Sequence, residues 1–265
     1  EPHITIYPPL FSILLAPFFL FGDNAILLIK IFIALLAAVS LLITKRLFQR
    51  FFDNNLSLLL TATAGVSLLF YWYSAKILSE IPFLLFSLAS VYFFIKSTEK
   101  VPEKIRFSNK KLAIDKYFAL SLFFLLLSFY TRTIGITLAA AFAVLLLSKK
   151  QYRNLAVLGI VFLIAASAWF VYAGSVAAPG SDSYFDQFLR KDVGDVSSGP
   201  ATIPDLAVRI AGNSAFYFLS SIPETVLSPL QALAHFFSRT SLLSISALLF
   251  LVFLIGVVVF LKKNK

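Results

Sequence analysis

Tyr117 to Ser148 reads YFALSLFFLLLSFYTRTIGITLAAAFAVLLLS, and this run decides the fold. Arg132 is the one charge in it. A single helix of that length would measure about 48 Å, far more than the roughly 30 Å of bilayer hydrocarbon. Both flanks are basic, with seven Lys/Arg from Lys96 to Lys116 on one side and Lys149, Lys150 and Arg153 on the other. Basic loops collect on the cytoplasmic face of a membrane protein. The run is therefore expected to be a hairpin that turns at Thr131-Arg132-Thr133 on the outer side. Its arms are short, which leaves Arg132 below the outer surface and inside protein.

Composition supports the membrane class. The chain has 265 residues, 59% hydrophobic and only 14% charged, with a mean hydropathy of +0.89. Soluble domains run near 45–50% apolar and about 25% charged. Cysteine is absent, which excludes a disulfide framework, a thiolate metal site and a thiol nucleophile. The net charge of +10 does not point to nucleic acid. Sixteen of the 23 Lys/Arg fall in four stretches, Lys45 to Arg50, Lys96 to Lys116, Lys149 to Arg153 and Lys262 to Lys265. The charge is a topology signal.

These loops order the rest of an all-α polytopic membrane protein. Residues 10–22 are apolar but too short to span, and read as a juxtamembrane or re-entrant helix started by Pro8-Pro9 and stopped by Gly22. Spans are expected at 25–46, 56–75 and 81–96, then in the two arms of 117–148, at 154–173 and at 242–261, seven in all. The expected organisation is a single membrane domain over 1–265. It comprises the end of an outer loop (1–24), a bundle of five to six spans (25–173), an extracytoplasmic loop (174–241) and the last span. From Pro204 to about Ser221 that loop turns amphipathic, as a helix lying on a membrane surface would. No internal or inverted repeat of the transporter kind is visible.

The candidate chemistry collects at the outer turns. Tyr71 to Pro82, YWYSAKILSEIP, is a polar island between two apolar runs. Charges in such places are costly to bury and commonly line a cavity. Glu80 has two readings: an acid in the first turn of a helix capped by Ser79, or a general base or orienting carboxylate. Lys76 stands four residues earlier, either snorkelling to the interface or pairing with Glu80. Arg132 can be satisfied by Glu80, or can serve as a fork for a phosphate or pyrophosphate. Glu1, His3 and Tyr7 lie just outside the membrane. His3 could serve as a metal ligand or base, with His235 in the outer loop as its one possible companion, and Tyr7, Tyr71, Trp72 and Tyr73 suit an interfacial aromatic belt. In the outer loop, Arg209, Asn213 and Tyr217 recur at i, i+4 and i+8, compatible with a sugar-binding lid or with a solvated face. Walker, Rossmann, HExxH and GxSxG patterns are absent.

Three segments in this order carry a resemblance: Tyr7-Pro-Pro-Leu10 followed by a short helix ending at Phe21-Gly22, Ser79-Glu80-Ile-Pro82-Phe83, and Thr131-Arg132-Thr-Ile-Gly135. Together they resemble the GT-C membrane glycosyltransferases, in particular the protein mannosyltransferases and the aminoarabinose transferase of lipid A. The resemblance implies a polyprenyl-phosphate sugar donor and a glycan, lipid or protein acceptor. It implies transfer with inversion at the outer face of a prokaryotic plasma membrane. Glu80 matches the acid of a family hairpin, and Arg132 the basic residue at the donor phosphate, with Lys76 in support. Because the family has metal-dependent and metal-independent members, the cofactor is either none or a divalent cation. The family's catalytic aspartate would precede Glu1, so the chain is expected to be a fragment lacking the first span. The rival reading is a transporter or flippase, whose charges would sit at mid-span rather than at outer turns.

Overall fold

The computed structural model describes residues 8–99, 115–176, 189–192 and 195–217. Expectations for Glu1, His3, Tyr7, His235, most of the 97–116 linker and the 242–261 span lie outside the described residues. The chain divides into two compact units, one made of Glu1–Thr61 and Tyr73–Ser183, the other of Ala62–Trp72 and Tyr184–Lys265.

Among the described residues there is helix and no strand. In chain order the helices are α1 (Leu10–Leu15), a 3-10 segment (Ala16–Asn24), α2 (Ala25–Phe48), α3 (Asn54–Gly65), α4 (Leu68–Ser74), α5 (Glu80–Glu99), α6 (Lys116–Thr131), α7 (Gly135–Ser148), α8 (Tyr152–Val176) and α9 (Ile203–Phe216). Three stretches are helical, long and apolar enough to cross a membrane: Leu10–Phe48, Glu80–Thr98 and Tyr152–Val176. The helices α6 and α7 are apolar but shorter.

The first of these stretches is interrupted at Gly22, whose φ of 55° is a left-handed conformation that glycine adopts without steric cost. The expected stop at Gly22 is thus a kink, with α2 following at Ala25. Below it, Ala25, Ile29, Ile33, Ala37 and Ser40 form one buried stripe along α2, at the spacing of a helix face. In α8 the buried stripe is Leu158, Phe162, Ala166 and Trp169. It joins Phe94 of α5, Phe118 to Phe129 of α6 and Phe142 of α7 in one core. Phe94 and Phe142 stack with ring centroids 4.0 Å apart.

The outward faces are as apolar as the inward ones. Leu27, Leu35 and Leu42 of α2 and Leu163, Ile164 and Val171 of α8 are all exposed. Burying such a side chain is worth about 1.5–3 kcal/mol, and a helix apolar all round belongs in a core or a membrane. The perimeter fits hydrocarbon.

One expected span is not a single helix. The run 56–75 breaks after Gly65, and α4 begins at Leu68. The Ser67 hydroxyl accepts from the backbone N–H of Phe70 at 3.3 Å, replacing a main-chain carbonyl at the start of the new helix. Glycine followed by β-branched Val66 weakens the helix just ahead of that cap. At its other end α3 starts where expected for a capped helix, with Asp53 Oδ1 accepting from the N–H of Leu56.

In the second unit, residues 189–191 run beside 199–201. The N–H of Lys191 donates to the Gly199 carbonyl at 2.9 Å, and a bridge links Arg190 to Pro200. The helix α9 follows behind a capping box: the Thr202 hydroxyl accepts from the Asp205 N–H while the Asp205 side chain reaches back.

Candidate functional site

The long apolar run does turn at Arg132. The helix α6 ends at Thr131, and Arg132 takes up extended backbone while its N–H still donates to the Ser128 carbonyl at 2.9 Å. The chain re-enters helix through two tight bonds, Gly135 N–H to Arg132 O and Ile136 N–H to Thr133 O. A Cβ on Gly135 would lie 2.8 Å from both the Cα and the N of Phe129, so only glycine lets α7 start this close to the end of α6. The short TIG sequence is what makes so sharp a reversal possible.

The helices α5 and α6 are antiparallel and fastened by serines. The Ser87 and Ser128 hydroxyls are 2.8 Å apart. Deeper in, Ser90 Oγ donates to the Ser121 carbonyl at 2.9 Å and Ser121 Oγ donates to the Ser90 carbonyl at 3.0 Å. Small residues allow two backbones this near to each other, which is the mode of association expected where lipid removes the hydrophobic drive. In the same register Phe93 stacks over Tyr117 at the far end. Sequence reasoning passed over these serines. Their signal was available, as Ser87 and Ser90 one turn apart and Ser121 and Ser128 two turns apart within otherwise apolar helices.

That register brings Glu80 and Arg132 together at the other end. Glu80 opens α5, with Ile81 and Pro82 of its first turn buried. Arg132 Nη1 donates to Glu80 Oε1 at 2.5 Å. The side chains are 29% and 35% exposed, so the pair is reachable rather than sealed. A solvated ion pair contributes about 0–1 kcal/mol. Removing one partner of a fully buried pair costs about 3–5 kcal/mol, and half-buried geometry sits between these limits. Arg132 makes no other side-chain hydrogen bond among the described residues, leaving most of its five N–H donors to other acceptors. Glu80 Oε2 is buried and without a donor among the described residues, a condition that costs about 1–3 kcal/mol or more until a donor arrives.

Of the other expected site residues, Lys76 lies exposed in the break between α4 and α5, its N–H donating to the Tyr73 carbonyl at 3.4 Å. Arg209, Asn213 and Tyr217 belong to the second unit. They do share a helix, with Tyr217 at its C-terminal cap. Arg209 Nη1 donates to the Arg190 carbonyl at 2.8 Å, tying α9 to the preceding strand-like segment. That bond employs one guanidinium nitrogen of a residue read from the sequence as part of either a sugar-binding lid or a solvated face. Asn213 and Tyr217 are exposed.

Glu80 and Arg132 are the candidate site. No protein-family model matches this chain, and no curated protein or solved structure matches it either. Its reading therefore rests on geometry. Among the described residues no three His, Cys, Asp or Glu side chains gather as a metal centre would require. Chemically, the site offers a half-open guanidinium suited to a phosphate and, beside it, a buried carboxylate oxygen that lacks a donor among the described residues.

Proposed function

We propose that this chain is a glycosyltransferase of the GT-C type, moving a sugar from a polyprenyl-phosphate donor to an acceptor hydroxyl at the outer membrane face. The observation that carries the reading is the Glu80–Arg132 pair itself, an ion pair held at one end of two antiparallel apolar helices and still open to a ligand. The order of the three sequence segments around it adds to this support. In the proposed reaction the acceptor oxygen attacks the anomeric carbon while the bond from that carbon to the phosphate oxygen breaks. The acceptor proton passes to Glu80, and polyprenyl phosphate leaves with its charge held by the remaining Arg132 donors. Lys76, close in sequence and exposed, adds positive charge for the same phosphate. The apolar perimeter of the bundle suits a donor whose lipid tail stays in the bilayer while its phosphate reaches the turn.

The test uses the chain in nanodiscs with a panel of radiolabelled polyprenyl-phosphate sugars. Label released from the lipid by the parent, and lost in both Glu80→Gln and Arg132→Ala while helix content is unchanged, is the expected result. Release undiminished in either variant sinks the assignment of that residue.

One observation favours a second reading, a transporter or flippase of lipid-linked or small polar substrates. The break between α3 and α4 is the kind of helix interruption that lines transporter pathways. Labelled sugar or lipid crossing vesicles, with no release from any donor, would select it.

A further inference from the structure

Arg50 follows the end of α2, Tyr92 and Lys96 stand on α5, and Lys116 and Tyr117 open α6. The Arg50 guanidinium carbon lies 5.1 Å from the centroid of the Tyr92 ring, and Lys96 Nζ lies 5.7 Å from the same ring. Lys96 Nζ is also 4.5 Å from the Tyr117 ring, over which Lys116 Nζ stands at 5.2 Å. Three cations from three segments thus share two phenol rings, with Lys96 common to both. Neither Lys96 nor Lys116 forms an ion pair with a described carboxylate. Cation–ring attraction offsets part of the mutual repulsion, and Lys116 is exposed while Lys96 is half-buried.

We propose that this cluster binds the phosphate of an anionic phospholipid in the leaflet where α2 ends and α6 begins. Charge complementarity calls for an anion between Lys96 and Lys116, with Arg50 beside them. Location calls for a lipid. Further along these helices, toward the bilayer, Leu42 of α2 and Leu120 and Phe123 of α6 are exposed, giving acyl chains apolar surface. Basic residues at helix ends attract anionic headgroups in this way, and tyrosine rings sit well at the level where headgroup meets hydrocarbon. The bound lipid would tie α2 to the α5–α6 pair at the end opposite Glu80 and Arg132. This site is independent of the proposed transfer reaction.

The experiment exposes the purified chain, in mild detergent, to equal amounts of phosphatidylglycerol and phosphatidylcholine, and counts retained lipid by native mass spectrometry. The parent is expected to retain phosphatidylglycerol preferentially. Arg50→Gln, Lys96→Gln and Lys116→Gln should each lower that preference about fivefold, the factor expected for one cation at an anionic surface. Lys96→Arg should keep it, as should Lys150→Gln with Arg153→Gln, which removes charge elsewhere. Each single variant is checked for helix content, so lost binding is separated from lost folding. Excess soluble glycerol phosphate should leave the preference intact. No preference in the parent, a preference undiminished from the parent's in the Gln variants, or abolition by glycerol phosphate would overturn the proposal.

Discussion

Gly135 stands so close to Phe129 that a methyl group on it would lie 2.8 Å from the Phe129 Cα. The neighbour is backbone, which cannot rotate away as a side-chain tip can. That contact fixes the tightness of the turn in which Arg132 lies. Gly135→Ala is expected to push α7 off the end of α6 and to cost about 1–3 kcal/mol, the usual range for overpacking. Thermal unfolding in nanodiscs should show the loss. An unchanged melting temperature would mean that the turn relaxes freely.

The reciprocal Ser90–Ser121 bonds predict an asymmetry between two substitutions. Ser90→Ala removes the bond its hydroxyl donates to the Ser121 carbonyl, yet keeps the small volume and the backbone carbonyl that accepts from Ser121, and interhelical bonds in membranes average about 0.6 kcal/mol. Ser90→Leu also forces the helices apart. Its destabilisation should exceed that of Ser90→Ala severalfold, read from unfolding in detergent. Equal effects would show that close approach is not what the serines provide.

Exchanging the charges separates the structural and chemical uses of the ion pair. Glu80→Arg or Arg132→Glu alone places two like charges together and should lower stability sharply. The double exchange restores the attraction and should recover most of that stability. Sugar release should stay absent in all three, because a phosphate binder and a proton acceptor have changed places. Recovery of activity together with stability would reduce the pair to a clasp.

The start of α9 carries a pH signature. Hydrogen bonds from the Thr202 side chain and then its backbone N–H hold the Asp205 carboxyl below the ordinary carboxylate range, aided by Lys191. A lowered folded-state value means that this contribution is fully present above the ordinary carboxylate range and is lost as pH falls through the lower folded value. Amide exchange within α9 should therefore accelerate, beyond its intrinsic pH trend, only in strong acid. Thr202→Ala should move the onset toward higher pH.

Much of this architecture was legible in the sequence. The turn at Arg132, the start of α5 at Glu80 and the interruption at Gly22 all follow from local chemistry. A lone charge, a proline in a first turn or a glycine acts within a few residues, wherever the helix later packs. The break at Ser67 was hidden because its cap is one hydroxyl inside an apolar run whose average hydropathy is unchanged. The serine fastening was hidden for another reason. It depends on register between helices separated by a long linker, and spacing along one helix does not specify its partner. Arg132 lay between the two cases. Its need for a carboxylate was readable and Glu80 was a candidate, but the meeting of the two depends on α5 and α6 running antiparallel.

The Glu80–Arg132 bond joins residues 52 positions apart, and a ribosome makes them in order. At about 5–20 residues per second, the carboxylate emerges roughly 3–10 s before the guanidinium exists. During that interval α5 must enter the bilayer on its own apolar length, with its acid held at the water-facing end. Biogenesis therefore favours a charge at the first residue of α5 over one at its middle, and it makes completion of the α6–α7 turn the step that secures the start of α5.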